Sequence, residues 1–368
     1  MKIKSALWTL LILGVLAGIL TYLYYFFFAP LNISPFAEES PRADIAVVAG
    51  DYNAGNIDQA IVNAEMLVAG DSKSVPALLA LASSYAQKGS ISYNEAEYGT
   101  KAINTANLVF AAAPTPSQAS EAYRIIGYSN EIMERYAEAQ NNYDKAIELN
   151  PKNSQAYSNK GHAYHLQGDV AAAGIWYGKA LALDPKNEHA LVNEARLLIR
   201  LNKLPEAREI LNILFNTSSN RMFLADGYQL LAVMLMDQAR PDDAGARLSF
   251  EKALSYNRNL SQAWAMLGFV KLRLLAASSG TDEAMRNEMK SIYADLGEAL
   301  AINPKQASAY YVASLLANIV GDKTKEAELK KLALEAIPED ITLGADEKEA
   351  LRKEINAKFI NVNLSPKK

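Results

Sequence analysis

The three histidines are the residues whose type and spacing most suggest chemistry, because His162, His165 and His189 lie close together in a chain of 368 residues. His162 and His165 are three positions apart, so on an α-helix they share one face. Neutral imidazole is a common metal ligand and titrates near physiological pH, which would suit a small metal or pH-sensing site. No nearby carboxylate or cysteine completes a recognisable ligand set. The favoured interpretation is therefore three ordinary polar residues without metal or cofactor, and a metal or pH-sensing site is the alternative.

Other catalytic machinery is missing from the sequence. The chain has no cysteine, which excludes disulfides, thiolate metal sites, iron–sulfur clusters and a cysteine nucleophile. The motifs HExxH, GxxxxGK, GxGxxG and GxSxG do not occur. Lysine and arginine number 37 against 41 acidic residues, so the net charge of −4 provides no positive field for a phosphate backbone. We predict a protein that is not an enzyme and does not bind nucleic acid.

An apolar segment without a single charge occupies residues 5–29 and reads SALWTLLILGVLAGILTYLYYFFFA. About 20 apolar residues are enough to cross a bilayer as a helix. A cleaved secretory signal has a shorter apolar core and small residues at its cleavage site, whereas Phe27 and Pro30 stand here. The sequence therefore predicts an uncleaved membrane anchor within residues 1–30.

The orientation of this anchor follows from the charges that flank it. Lys2 and Lys4 precede the apolar segment, and the positive-inside rule places such residues in the cytoplasm. We therefore expect a single-pass protein of a bacterial cytoplasmic membrane, with its N-terminus inside and the rest of the chain outside. Gly14 and Gly18 form a small-xxx-small pattern, which is typical of helix pairs in membranes and would allow a homodimer.

A repeat organises most of the remaining chain. KAIELNPKN at Lys145–Asn153 returns as KALALDPKN at Lys179–Asn187, 34 positions later. Small residues at fixed positions allow two antiparallel helices to approach, large ones fill the layer between them, and proline ends the second helix. The matching positions of residues 120–153 and 154–187 carry Tyr123 and Tyr157, Gly127 and Gly161, Ala139 and Ala173, Tyr143 and Tyr177, Ala146 and Ala180, and Pro151 and Pro185.

This arrangement resembles the tetratricopeptide repeat, a helix–turn–helix unit with a period of 34 residues. The resemblance implies an all-α fold, a right-handed α-solenoid of about eight such helix pairs preceded by one transmembrane helix. A spacer at 31–40 separates the anchor at 1–30 from the solenoid at 41–344, which has extra residues around SSGTDEAMRNEMK. Residues 345–368 hold a charged amphipathic helix, which is typical of the end of a solenoid, and a tail.

The resemblance also implies a partner-binding groove, because the first helices of such pairs line the concave face. Family members that capture a carboxyl terminus place basic and asparagine side chains at set positions. Here Arg124, Asn159 and Asn193 fall on three of those positions, but Tyr128 and His189 occupy others, so this clamp is incomplete. The predicted groove forms a polar and mildly basic strip that suits a peptide or protein partner: Arg124, Tyr128, Glu131, Asn159, His162, His165, Asn193, Arg196 and Arg200.

We therefore expect a membrane-anchored scaffold that binds protein or peptide partners for envelope assembly or secretion. Two alternatives remain open at this point. One is a non-catalytic accessory subunit of an envelope enzyme complex, and the other is an organelle import receptor that faces the cytosol in the opposite orientation. An enzyme is an option only if the three histidines are catalytic.

Overall fold

A computed structural model of the chain describes residues 44–92, 94–238, 240–278, 282–340 and 342–357. The predicted anchor, with its Gly14–Gly18 pattern, and the spacer lie outside these residues. Among the helices of the described residues, none combines the length and apolar character that crossing a bilayer requires. The anchor thus stays a prediction from the sequence.

Seventeen α-helices and no β-strand make up the described part of the chain. The first sixteen pack as eight successive pairs, and the last helix packs on the end of the eighth pair. In chain order they are α1 (Ile45–Ala54), α2 (Ile57–Gly70), α3 (Val75–Ser90), α4 (Glu95–Ala111), α5 (Pro116–Ile132), α6 (Tyr136–Leu149), α7 (Ser154–Leu166), α8 (Val170–Leu183), α9 (Glu188–Arg200), α10 (Leu204–Thr217), α11 (Arg221–Met236), α12 (Asp243–Tyr256), α13 (Ser261–Ala277), α14 (Asp282–Ile302), α15 (Ala307–Ile319), α16 (Lys323–Ala336) and α17 (Ala345–Asn356).

The small and aromatic positions of the repeat form the contact within the third and fourth pairs. Tyr143 and Tyr177 are fully buried between the helices of the third and fourth pairs. A Cβ atom added to Gly127 would lie 2.6 Å from the ring of Tyr143, and one added to Gly161 would lie 2.7 Å from the ring of Tyr177. The close approach predicted from the spacing is therefore present, and it requires glycine.

The asparagine that ends each repeated phrase joins neighbouring pairs. Asn153 caps α7 by accepting a hydrogen bond from the amide of Ala156 at 3.2 Å, and its Nδ2 donates to Ser120 of the preceding pair at 3.0 Å. Asn187 repeats both bonds at the start of α9. A side chain that satisfies a free helix-end amide and reaches the previous unit fixes where each new pair begins.

The extra residues of the seventh pair lengthen one helix. α14 runs for 21 residues, against 14 for α12 and α16. The regular part of this helix carries Asp295, which accepts a hydrogen bond from the buried ammonium of Lys271 in α13 at 2.6 Å. An insertion that appeared as irregular spacing in the sequence is therefore mostly helical.

Two contacts join pairs that are far apart in the sequence. Asn220, which caps α11, donates through Nδ2 to Oδ1 of Asn53 in α1 at 3.0 Å, and Met222 packs beside α1. Arg200 at the end of α9 pairs with Asp346 at the start of α17. The sixth pair of helices therefore touches the first, and this contact borders the site described next.

Candidate functional site

The first helices of six consecutive pairs line a cleft of about 390 Å³. Its walls come from α1, α3, α5, α7, α9 and α11, and its size falls in the usual range of about 300–1,000 Å³ for ligand pockets. A smaller cleft of about 150 Å³ shares Tyr128, Asn159 and His189 with it and adds His162 and Arg196. We refer to the two together as the inner cleft.

Arg124 borders the inner cleft, but its charge is already matched. Its Nε and Nη2 donate to both carboxylate oxygens of Glu121, at 2.9 and 2.6 Å, and its side chain is 9% exposed. Burial alone raises the pKa of Glu121, but the Arg124 guanidinium outweighs burial and holds that pKa below its usual value. The pair therefore contributes little net charge to the cleft.

Glu131 lies behind the cleft wall and not in the groove, with its side chain only 2% exposed. The hydroxyl of Tyr143 donates to its Oε2 at 3.1 Å, and Nδ1 of His162 lies 2.6 Å from its Oε1. His162 is half-buried and lines the smaller cleft. The sequence placed Glu131 and His162 on one strip, and the structure shows that the carboxylate supports the imidazole from behind.

The other two histidines are held neutral at physiological pH. Burial, together with the nearby His162, Arg196 and Arg200, lowers the pKa of His165 to about 4. Burial also lowers the pKa of His189 to about 3, with Arg124 and His162 adding to the effect, and its ring packs edge-on against Phe223. Within the described ranges no group of three or more histidine, cysteine, aspartate or glutamate side chains is placed to hold a metal ion.

The remaining predicted groove residues divide into two groups. Asn159 borders both parts of the inner cleft, and Nη1 of Arg196 donates to Oδ1 of Asn193 beside it at 2.8 Å. Arg200 and His165 lie outside the lining, where Arg200 binds the start of α17 and approaches Nε2 of His165 at 3.5 Å. The inner cleft thus collects Arg124, Tyr128, Asn159, His162, Asn193 and Arg196.

Sequence reasoning missed the walls that α1 and α11 contribute. Tyr52 and Asn53 come from the unit with the weakest repeat signal, and Phe223 and Asp226 come from one whose first helix carries little of the pattern. Burial raises the pKa of Asp226, and the charge of Arg196 counteracts this only in part. No local pattern marks these residues, because their place in the cleft depends on contact between distant pairs.

Comparisons with known proteins agree with this architecture. Residues 133–188 and residues 177–219 each match a model of the tetratricopeptide repeat. Residues 133–219 therefore contain tetratricopeptide repeats. The resemblance inferred from the spacing is confirmed, and no curated protein sequence matches the chain.

Two solved structures are similar to this chain in fold. The Cut9–Hcn1 hetero-tetramer of APC/C aligns with a TM-score of 0.59 and 14% identity, over 82% of this chain and 53% of that one. The chain therefore spans about half the length of that relative. PilF of Pseudomonas aeruginosa aligns with a TM-score of 0.51 and 18% identity, over 66% of this chain and 100% of that one. At such identities the likeness establishes the fold alone.

Proposed function

We propose that the protein is a membrane-anchored, non-catalytic scaffold whose solenoid binds a protein partner in the inner cleft. The supporting observation is Asn159, which is 6% exposed, borders both parts of the cleft and makes no side-chain hydrogen bond to another described residue. An amide beside a cleft can donate and accept hydrogen bonds, and it needs a partner once a ligand excludes water from it. A bound segment would supply that partner.

The chemistry of the lining favours an extended peptide segment. A helix satisfies its own backbone groups, whereas an extended chain presents free N–H and C=O groups that need side-chain partners. The amide of Asn159 offers both a donor and an acceptor to such a backbone. The charged side chains of the lining nearly balance, so the cleft has little net charge with which to select a strongly acidic or basic segment: Arg124, Lys186 and Arg196 face Glu121, Asp184, Glu188 and Asp226.

The anchor and location are also part of the proposal. The uncharged run at residues 5–29 and the preceding Lys2 and Lys4 support a solenoid held outside the cytoplasmic membrane, where it takes part in envelope assembly or secretion. A reporter fused after Lys368 that works only outside the cytoplasm should be active. A reporter active only in the cytoplasm would contradict this orientation.

A photo-crosslinking experiment tests partner binding. A photoreactive residue at Ser83, on the cleft wall, should capture a partner in full-length protein in membranes, whereas one at Ile175, which is 61% exposed on α8, should not. The double change Asn159→Ala with Arg196→Ala should abolish capture without changing the melting temperature. Equal capture from Ser83 and Ile175, or unchanged capture in the double variant, would contradict the proposal.

The matched control for that double variant lies on the outer helices. Asn142 donates only to the carbonyl of Glu138 in its own helix, and Nζ of Lys179 lies over the ring of Trp176, 3.9 Å from its centroid. Changing Asn142 and Lys179 to alanine removes a similar number of polar groups far from the inner cleft. Capture from Ser83 should be normal in this control.

A further inference from the structure

The contact between Glu131 and His162 determines more than the position of the imidazole ring. The Glu131 carboxylate is 2% exposed and faces Nδ1 of His162 at 2.6 Å. An ionised carboxylate only accepts hydrogen bonds, so the nitrogen that faces it must carry hydrogen. A neutral imidazole has one N–H, so Nε2 of His162 is then bare.

Nδ1 of His162 is turned to Glu131 behind the cleft wall, so Nε2 is the ring nitrogen that is left for the inner cleft. His162 is 29% exposed, lines the smaller cleft, and its Nε2 makes no hydrogen bond to another described residue. We infer that the buried Glu131 fixes His162 as a hydrogen-bond acceptor in the inner cleft, which receives a backbone N–H of the bound segment. This rests on the proposed function and adds to it a residue that determines specificity.

The surroundings of His162 favour an N–H group of the bound segment, and not a metal ion or a cationic side chain, as the partner of Nε2. Arg196 of α9, which lines the smaller cleft with His162, already donates to Asn193. Within the described ranges His162 belongs to no group of three or more side chains that could hold a metal ion. Titratable and charged groups surround His162 on several helices: Tyr52 from α1, Tyr128 and Glu131 from α5, Tyr143 from α6, His165 from α7, Tyr177 from α8, His189 and Arg196 from α9, and Asp226 from α11.

Protonation would reverse this role. When Nε2 takes a proton it becomes a donor and repels the N–H that it previously accepted. Between pH 5 and pH 8 the other two histidines stay neutral, because the pKa of His165 is about 4 and that of His189 about 3. Neither His165 nor His189 therefore causes a change of binding in that pH range.

Which nitrogen of the His162 ring carries hydrogen can be measured without knowing the partner. Nitrogen NMR of the full chain with labelled histidine gives signals from three imidazole rings. The signals of His162 are assigned as those that are missing from the spectrum of His162→Phe. At pH 9 we expect hydrogen on Nδ1 and a bare Nε2. In Glu131→Gln the amide can donate to Nδ1, so hydrogen should move to Nε2. A wild-type ring with hydrogen on Nε2, alone or on both nitrogens, would overturn the inference.

The role in binding is tested by the yield of the adduct captured from Ser83. His162→Phe keeps a ring of similar shape but removes the acceptor, so the yield at limiting protein should fall roughly two- to tenfold, the usual net effect of one hydrogen bond. Capture by the unmodified chain should be weaker wherever the NMR spectrum shows His162 with hydrogen on both nitrogens, and His162→Phe should show no such change.

The two experiments separate the inference from the function on which it rests. If Asn159→Ala with Arg196→Ala abolishes capture while His162→Phe captures normally at every pH, the cleft binds a partner but His162 is not its acceptor. If Ser83 captures nothing in any variant, the proposed function fails, whatever the NMR spectrum shows about the ring. Melting curves of His162→Phe verify that a lost adduct does not reflect unfolding.

Discussion

Replacing Gly161 with alanine tests the packing that holds each helix pair together. The added Cβ would lie 2.7 Å from two ring atoms of Tyr177 and 3.2 Å from the carbonyl oxygen of Ala173. Tyr177 is fully buried, so its ring cannot turn out to solvent. Carbon atoms do not approach so closely without strain, and the two helices must move apart.

Two opposing effects determine how much Gly161→Ala changes the free energy of unfolding. Overpacking a close contact costs about 1–3 kcal/mol, whereas replacing glycine by alanine within a helix gains about 1 kcal/mol. Gly161→Ala should therefore lower the free energy of unfolding by about 0–2 kcal/mol. Gly178 in the neighbouring helix has no atom within 4 Å of an added Cβ, so Gly178→Ala should gain about 1 kcal/mol. The difference between the two variants, about 1–3 kcal/mol, isolates the steric cost.

The assay should resolve local as well as global stability, because a solenoid can open unit by unit. Denaturant unfolding gives the overall difference, and amide hydrogen exchange shows whether protection is lost in α7 and α8. Gly127→Ala provides an independent repetition, since its Cβ would lie 2.6 Å from the ring of Tyr143. If Gly161→Ala and Gly178→Ala were equally stable, the reasoning about this contact would be refuted.

Three further predictions concern caps, buried charge and pH. Asn153→Ala should lower the free energy of unfolding by about 1–2 kcal/mol, because it removes a helix cap and the bond to Ser120 of the preceding pair. Lys271→Met should lower it by about 3 kcal/mol in denaturant unfolding, because it leaves Asp295 buried without its cation. The unmodified protein should lose stability as pH falls from 6.5 towards 3, because His189 binds a proton in this range in the unfolded chain but not in the folded one. Melting curves of His189→Gln should show a smaller loss of stability.

Each of these has its own control. Asn142→Ala, which loses only a bond within α6, should change stability by less than about 0.5 kcal/mol. Adding Asp295→Leu to Lys271→Met should recover much of the loss, because a buried pair replaced by apolar groups is often neutral. If Asn153→Ala and Asn142→Ala unfold at the same denaturant concentration, the prediction about the helix cap is wrong. Identical acid melting curves for the unmodified chain and His189→Gln would contradict the assigned protonation.

The sequence alone determined the architecture of the repeats. Gly161 with Tyr177, Gly127 with Tyr143 and the returning asparagine specify contacts that lie within one period of 34 residues or reach the next. Such contacts depend on local spacing, so a pattern of small, aromatic and capping residues is enough to predict them. The same locality brings the first helices of successive pairs next to one another, where they line one cleft.

Only the tertiary structure decided how that face is built. Asn53 and Asn220 meet because the stack brings the sixth pair of helices onto the first, and no periodic pattern reports the summed rotation of successive pairs. Likewise, Arg124 and Glu131 share the sequence pattern of exposed groove residues, but one is bound by Glu121 and the other is buried behind His162. A repeat register predicts the helical position of a side chain, whereas its partners and its burial depend on the surrounding three-dimensional packing.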